Sequence, residues 1–144
     1  MQGLYPEPTA VMTLVQQKPL ISCVDDDVAV RDGLEALLDA SGFATELFSS
    51  AEEFLKSGRL EQTSCLITDV MLGGISGLEL QKQLVSSGWK IPVIVITAFP
   101  NDRVRSQALL AGAICFLDKP VKADDLLGCL RSALTRRRGS DINP

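Results

Sequence analysis

The segment LISCVDDDVAVRDGLEALLDASG, residues 20–42, decides the fold. Its first five residues, Leu20–Val24, form an apolar run that does not alternate with polar residues, the texture of a strand covered on both faces. Three aspartates follow, Asp25-Asp26-Asp27. Val30, Leu34, Leu37 and Leu38 then recur at helical spacing, and Gly42 stands where a helix stop is expected. A buried strand, an acidic turn and a helix make one βα unit.

Working outward, the same unit recurs. Residues 65–68 (CLIT), 93–96 (VIVI) and 113–117 (AICFL) read as further covered strands, and the more polar Ala44–Phe48 (ATELF) as an edge strand. Ser50-Ala51-Glu52-Glu53 is a capping box that opens a short helix with Phe54 and Leu55 inward. Leu78, Leu80, Leu84 and Val85 mark a third helix, ended by Gly88. Asn101 or Asp102 caps a fourth, with Val104, Ala108 and Leu109 facing in. Leu126, Leu127, Leu130 and Leu134 mark a fifth, closed by Arg136 to Arg138, where cations favour the helix dipole. Strand and helix alternating five times predict an α/β fold, a doubly wound parallel sheet with helices on both faces. Right-handed crossovers make 2-1-3-4-5 the expected strand order, which sets strands 1 and 3 side by side and puts ligands beyond the carboxyl ends of the strands. Residues 1–18, with Pro6 and Pro8 and no clear period, read as a loose leader. Residues 19–135 form the one domain, and 136–144 a tail or the start of a linker.

Composition narrows the chemistry. A hydrophobic content of 46% supplies a core, and a net charge of −4 argues against duplex DNA as the main partner, since such binding rests on a basic face. No apolar run approaches the roughly 20 residues of a membrane helix, and the first residues do not read as a signal peptide. Cys23, Cys65, Cys115 and Cys129 form no C-x-x-C pair and sit in apolar stretches, so they read as small buried hydrophobes in a reducing, cytoplasmic compartment. The chain has no histidine, which removes Ser-His-Asp and Cys-His catalysis and most zinc sites. Carboxylates, hydroxyls and lysine must carry whatever chemistry occurs.

Those groups stand at the predicted rim. Strand 1 ends in Asp25-Asp26-Asp27, strand 3 in Asp69, strand 4 in Thr97-Ala98 and strand 5 in Asp118-Lys119-Pro120. Carboxylates from two adjacent strands repel strongly, so either one stays protonated or a divalent cation neutralises them. Magnesium suits such an oxygen site, and a carboxylate is an established covalent acceptor of phosphate. Lys119 would add a charge for a phosphoryl group and Thr97 a hydroxyl. The plainer alternatives are that the acids cap helices, the first choice for Asp27, that Thr97 is an ordinary strand residue, and that Lys119 is solvated. Phe116 is core in either reading.

Taken in order, the residues Val24-Asp25-Asp26-Asp27, Ile67-Thr68-Asp69-Val70-Met71, Ser76-Gly77, Thr97-Ala98 and Gly112-Ala113 through Lys119-Pro120 resemble the receiver domains of two-component response regulators, from about Leu20 to Leu134. Ser50 to Leu55 and Ser76 to Gln81 look closest to the FixJ-like branch. The resemblance implies a flavodoxin-like (βα)5 fold with Asp69 as phosphoacceptor. It implies magnesium held directly by Asp26 and Asp69, through water by Asp25, and by the Met71 backbone carbonyl. It implies that Lys119 contacts the phosphoryl group ahead of a cis bond to Pro120, and that Thr97 and Phe116 form a switch pair, the ring turning inward. It further implies a sensor histidine kinase or histidine phosphotransfer protein as phosphodonor, dimerisation on phosphorylation as an outcome, and a changed face made of the fourth helix, fifth strand and fifth helix. FixJ-like regulators carry a DNA-binding domain after the receiver. A chain ending at Pro144 is then a stand-alone receiver or a fragment, with no DNA contact of its own. Where the family usually has proline this chain has Gly73, so Leu72-Gly73-Gly74 should be a looser loop. Two other functions stay open. A phosphohydrolase with an aspartate nucleophile usually has a second aspartate where Met71 stands, and an adaptor on the same fold would work without phosphorylation.

Overall fold

The computed structural model describes residues 18–142. The expected leader, but for Lys18, lies outside them. Five βα units follow in order: β1 (Leu20–Val24), α1 (Val28–Ala40), β2 (Ala44–Phe48), α2 (Ala51–Lys56), β3 (Thr63–Asp69), α3 (Gly77–Ser86), β4 (Val93–Thr97), α4 (Asp102–Leu110), β5 (Cys115–Asp118) and α5 (Ala123–Ile142). All strand pairs are parallel, in the order β2-β1-β3-β4-β5. This is the expected flavodoxin-like doubly wound sheet.

The apolar runs sort by alternation, because successive strand side chains point to opposite faces. Ile21, Cys23, Ile67, Ile94 and Ile96 pack with Leu34 and Leu38 of α1 and Leu126 and Leu130 of α5. Val24, Leu66, Val93 and Val95 pack on the other face with Phe54 of α2, Leu80 and Leu84 of α3, and Ala108 of α4. The one polar residue inside β1, Ser22, is satisfied by a 2.7 Å hydrogen bond between its Oγ and Thr63 Oγ1. β2 is half-buried along most of its length, as its composition predicts for an edge strand.

Helix starts follow the capping chemistry. Ser50 accepts from the Glu53 amide at 3.1 Å, Ser76 from Glu79 at 3.1 Å and Asn101 from Val104 at 2.9 Å. The capping box is displaced by one residue on its return arm: Glu53 Oε1 accepts from the amide of Ser49 at 3.2 Å. Gly42 and Gly88 follow the ends of α1 and α3 with φ of 90° and 85°, left-handed values that suit glycine.

Four expectations are corrected. Leu109, expected inward, and Val85, counted in the apolar spacing of the third helix, are exposed, because α3 and α4 each press only one stripe on the sheet and Gln81, buried, takes part of α3's stripe. The fifth strand begins at Cys115, two residues late, because the Ala113 amide still closes α4 through the Ala108 carbonyl at 3.0 Å. α5 runs through Arg136 to Arg138 as far as Ile142, so the boundary expected at 135/136 falls inside a helix. Arginine is itself a good helix former, and a cationic turn is no stop signal. Finally, Cys23 and Cys65 are buried as expected, but Cys115 and Cys129 are joined by a disulfide. β5 and α5 bring their Cα atoms to 6.2 Å, within disulfide reach, which their spacing in the sequence does not reveal.

Phe54 is fully buried and meets the Phe48 ring edge-on at 5.3 Å. Phe54→Ala is expected to lower stability by about 3–5 kcal/mol in urea denaturation. Val85→Ala, on an exposed position, should stay within about 0.5 kcal/mol of the parent chain.

Candidate acceptor site

The site is the carboxyl-terminal rim of the three central strands. β1 and β3 pair with Val24 opposite Thr68, so the residues that follow, Asp25 and Asp69, face each other across the rim. β3 and β4 pair with Asp69 opposite Ile96, which puts Thr97 one step beyond. Thr97 in turn pairs with Asp118, and the Lys119 amide donates to the Thr97 carbonyl at 2.8 Å. Sheet register alone therefore gathers residues that are far apart in the chain.

The backbone around each acid is fixed. The Asp25 amide donates to the Phe48 carbonyl at 3.1 Å, and the Asp25 carbonyl accepts from the Arg31 guanidinium at 2.6 Å. Asp25 Oδ1 accepts from the Asp27 amide at 2.9 Å. Asp27 turns away and caps α1 by accepting from the Ala29 amide at 2.9 Å, the role expected of it. Asp69 Oδ1 accepts from the Met71 amide at 3.0 Å. Behind Asp69 the chain is so close to α3 that a Cβ on Gly77 would overlap the Asp69 carbonyl, so the Ser76-Gly77 turn needs its glycine.

Asp25 and Asp69 are buried and Asp26 is exposed. One oxygen from each lies within 4.8 Å of the others. Lys119, ahead of a cis bond to Pro120 as the resemblance implied, extends into this cluster. Its Nζ stands 2.6 Å from Asp69 Oδ2 and 2.7 Å from Asp25 Oδ2. Asp25 Oδ2, buried, has the Lys119 ammonium as its partner and no other hydrogen-bond donor among the described residues. Three carboxylates that share one ammonium form an all-oxygen donor set that a hard cation would satisfy.

The electrostatics agree. Burial pushes the Asp69 carboxyl above the ordinary aspartate range. Hydrogen bonds from Lys119 and the Met71 amide pull it back without cancelling the effect, and Asp25 adds to the rise. For Lys119 burial works against the charge, but its contacts with Asp25 and Asp69 outweigh it and hold the ammonium above the usual lysine range. The rim thus keeps its lysine charged while one of its acids is uncomfortable as an anion.

Two sequence-derived residues are placed differently from the cluster. Thr97 is buried at the rim, but its Oγ1 accepts from the Phe99 amide at 3.1 Å. Phe116 is already buried in the core of the α2–α4 face, with the Arg105 guanidinium 6.0 Å from its ring centre. Met71, two residues past the acceptor, exposes its side chain and enters the site through its backbone. The sequence reading missed Glu52, whose carboxylate reaches the loop after Asp69 and accepts from the Ile75 amide at 3.0 Å. No local signal marks that contact across 23 residues, and Glu52 registers in the sequence only as part of a capping box. The loop at Leu72-Gly73-Gly74, expected to be loose, is tied from outside.

A family model for the response regulator receiver domain matches residues 21–131. The response regulator protein TodT of Pseudomonas putida is 37% identical over 132 residues, covering 92% of this chain and 58% of its own length. The transcriptional regulatory protein FixJ of Azorhizobium caulinodans is 39% identical over 116 residues, 81% of this chain and 55% of its own. The chain therefore spans a little over half the length of these relatives. Among solved structures, the response regulator StyR superposes with a TM-score of 0.78 at 40% identity, over 87% of this chain and 65% of that one.

Since Asp69 is raised above its unfolded value, its ionised form is disfavoured by the fold, most fully above the raised value. In buffer free of divalent cations at neutral pH, Asp69→Asn is expected to raise the thermal midpoint. The gap to the parent chain should close as pH falls through the raised value, because protonation of Asp69 relieves the same strain. A lower midpoint for Asp69→Asn across that range would contradict the electrostatic account.

Proposed function

The chain belongs to the response regulator receiver domain family, and from that premise we propose that it is a phosphorylation switch whose acceptor is Asp69. The observation that carries the reading is the single rim cluster of Asp25, Asp26 and Asp69 with Lys119 Nζ inside it. The phosphodonor is the phosphohistidine of a sensor histidine kinase or histidine phosphotransfer protein. An Asp69 carboxylate oxygen attacks phosphorus, an O–P bond forms, the N–P bond breaks, and the imidazole leaves with the electron pair.

Asp25, Asp26, Asp69 and the Met71 carbonyl would hold magnesium, Asp25 through water. Bound there, the ion supplies positive charge to the phosphoryl oxygens during transfer. The chain's own groups do the rest. The Met71 amide on Oδ1 fixes the plane of the Asp69 carboxylate before attack. Lys119 Nζ, already 2.6 Å from Asp69 Oδ2, shifts to an oxygen of the transferred group as negative charge appears there. The Thr97 hydroxyl gives up the Phe99 amide and donates to a phosphoryl oxygen. Phe116 occupies the inner position here, so the movement to look for is at Thr97 and Phe99, with Phe116 repacking in response. The changed face is made of α4, β5 and α5, and it engages a partner or a second copy of the chain. The reaction serves signalling and turns over no external substrate, and DNA contact is left to other parts of such regulators. We place the protein in the cytoplasm, where the reducing pool would hold Cys115 and Cys129 as thiols.

The test is incubation with a small-molecule phosphodonor and magnesium, followed by intact mass. One phosphoryl mass is expected, lost in Asp69→Asn and on chelation of the metal. Lys119→Ala should slow uptake by about a hundredfold, the order seen when one transition-state charge donor is removed. Uptake that persists in Asp69→Asn would sink the assignment.

A further inference from the structure

The segment between the acceptor and α3 has little to hold it. Leu72-Gly73-Gly74 carries two adjacent glycines, and a Cβ at Gly73 would meet nothing within 4 Å. Backbone with this freedom loses much entropy when ordered, so a defined loop needs an external tie. The two ends have ties: the Met71 amide on Asp69 Oδ1 at 3.0 Å, and the Gly77 amide on the Val70 carbonyl at 3.0 Å. For the middle, the polar contact from another element is the Glu52 carboxylate of α2. Its Oε2 accepts from the Ile75 amide at 3.0 Å.

Two further observations place that carboxylate close against the loop. A Cβ on Gly74 would overlap Glu52 Oε2 and stand 3.1 Å from Oε1 and Cδ, so the carboxylate lies directly against the Gly74 backbone and a side chain there would displace it. Glu52 Oε1 is buried with no hydrogen-bond partner among the described residues, while the residue as a whole is half-buried. The Ile75 amide holds the Glu52 carboxyl below the usual glutamate range, which keeps it a charged, strong acceptor at neutral pH.

We propose that Glu52 is a positioning residue for the acceptor loop: by holding the Ile75 amide against α2 it sets the path of residues 71–75 and with it the backbone of Met71 beside Asp69. The proposal rests on the reading of Asp69 as acceptor and of the Met71 carbonyl as a metal donor. Leu72 and Ile75 pack partly into the core of the α2–α4 face, which orients the loop, but apolar packing does not fix a carbonyl to the accuracy a small hard cation demands. A charged hydrogen bond to the Ile75 amide adds a directional restraint at the far end of the same loop. Gly73 then leaves the loop free to take the path that Glu52 dictates.

The test compares wild type with Glu52→Ala, Glu52→Gln and the double variant Glu52→Ala/Gly73→Pro. Each is read for the exchange rate of the Ile75 amide, magnesium affinity by calorimetry, phosphorylation rate with a small phosphodonor, and thermal midpoint. Glu52→Ala is expected to speed Ile75 exchange, weaken magnesium about tenfold and slow phosphorylation by a similar factor. Glu52→Gln, which keeps an acceptor oxygen, should lose less. Proline at 73 has open space and no left-handed φ to oppose it, and it should restore much of the magnesium affinity by stiffening the loop. Unchanged Ile75 exchange in Glu52→Ala would overturn the anchor. A loss of magnesium affinity that Glu52→Gln shares in full and proline does not recover would overturn positioning. If wild type itself takes up no phosphoryl group, the acceptor reading fails on that measurement alone, while the Ile75 exchange still judges the anchor.

Discussion

Two carboxylates drawn out of water on neighbouring strands need a cation beside them, and Asp25 and Asp69 have Lys119. The rest of the rim follows from that requirement. β5 must lie at a fixed register to β4 for Lys119 to reach across two strands, and the Lys119 amide bonded to the Thr97 carbonyl provides it. Asp25 must not swing toward solvent, and its amide, carbonyl and Oδ1 are each held by a different neighbour: Phe48, Arg31 and Asp27. Asp26, next in the chain, points outward and completes the cluster from the solvent side. The balance is tight but uneven: one ammonium stands among three acids, and burial, with a smaller push from Asp25, still holds the Asp69 carboxyl above its ordinary range.

The same rim connects to a surface. Thr97 stands between the two: its carbonyl carries Lys119, and its hydroxyl carries the amide of Phe99, whose side chain is largely exposed at the start of the α4 connection. A change of partner at Thr97 Oγ1 would free the Phe99 backbone at the amino end of α4. Phe116 lies on the next strand with Arg105 of α4 over its ring, so β5 and α4 are already packed against each other where such a change would arrive. Cys115 of that strand and Cys129 of α5 also lie side by side, their Cα atoms 6.2 Å apart, so β5 and α5 pack closely there. On the proposed reading the α4–β5–α5 face responds because its backbone begins at the residue that meets the new charge, and no longer route through the core is needed.

How much of this was legible in the sequence depends on whether the cause was local. Continuous apolar runs revealed the buried strands, because a strand covered on both faces must be apolar on both. Ser50, Ser76 and Asn101 mark helix starts because a side-chain oxygen satisfies an orphan amide two or three residues on. The acids at the strand ends were legible too, since strand order fixes which ends meet. What escaped was set by the partner element. Val85 and Leu109 match helical spacing but lie on the margin of their stripes, where only packing against the sheet decides. Cys115 and Cys129 look like any buried cysteines until β5 and α5 are placed side by side. Glu52 was visible as the acid of a capping box, and its reach to Ile75 depends on how α2 lies against the loop after β3.

Lys119 also bears on how a divalent cation and a phosphoryl group would share the site. The ammonium now serves Asp25 and Asp69 together, so any cation entering the cluster competes with it for the same oxygens. Once a phosphoryl group stands on Asp69, Lys119 is drawn toward the new oxygens and Asp25 loses part of its counter-charge. The buried Asp25 Oδ2, which has no donor but Lys119 among the described residues, would then be costly to keep charged unless a second positive charge is present. On the proposed reading, occupancy of the cation position and phosphorylation of Asp69 would be linked through one lysine, each favouring the other by the same coupling free energy. That linkage would make the switch conditional on both, and it follows from there being one ammonium among three acids.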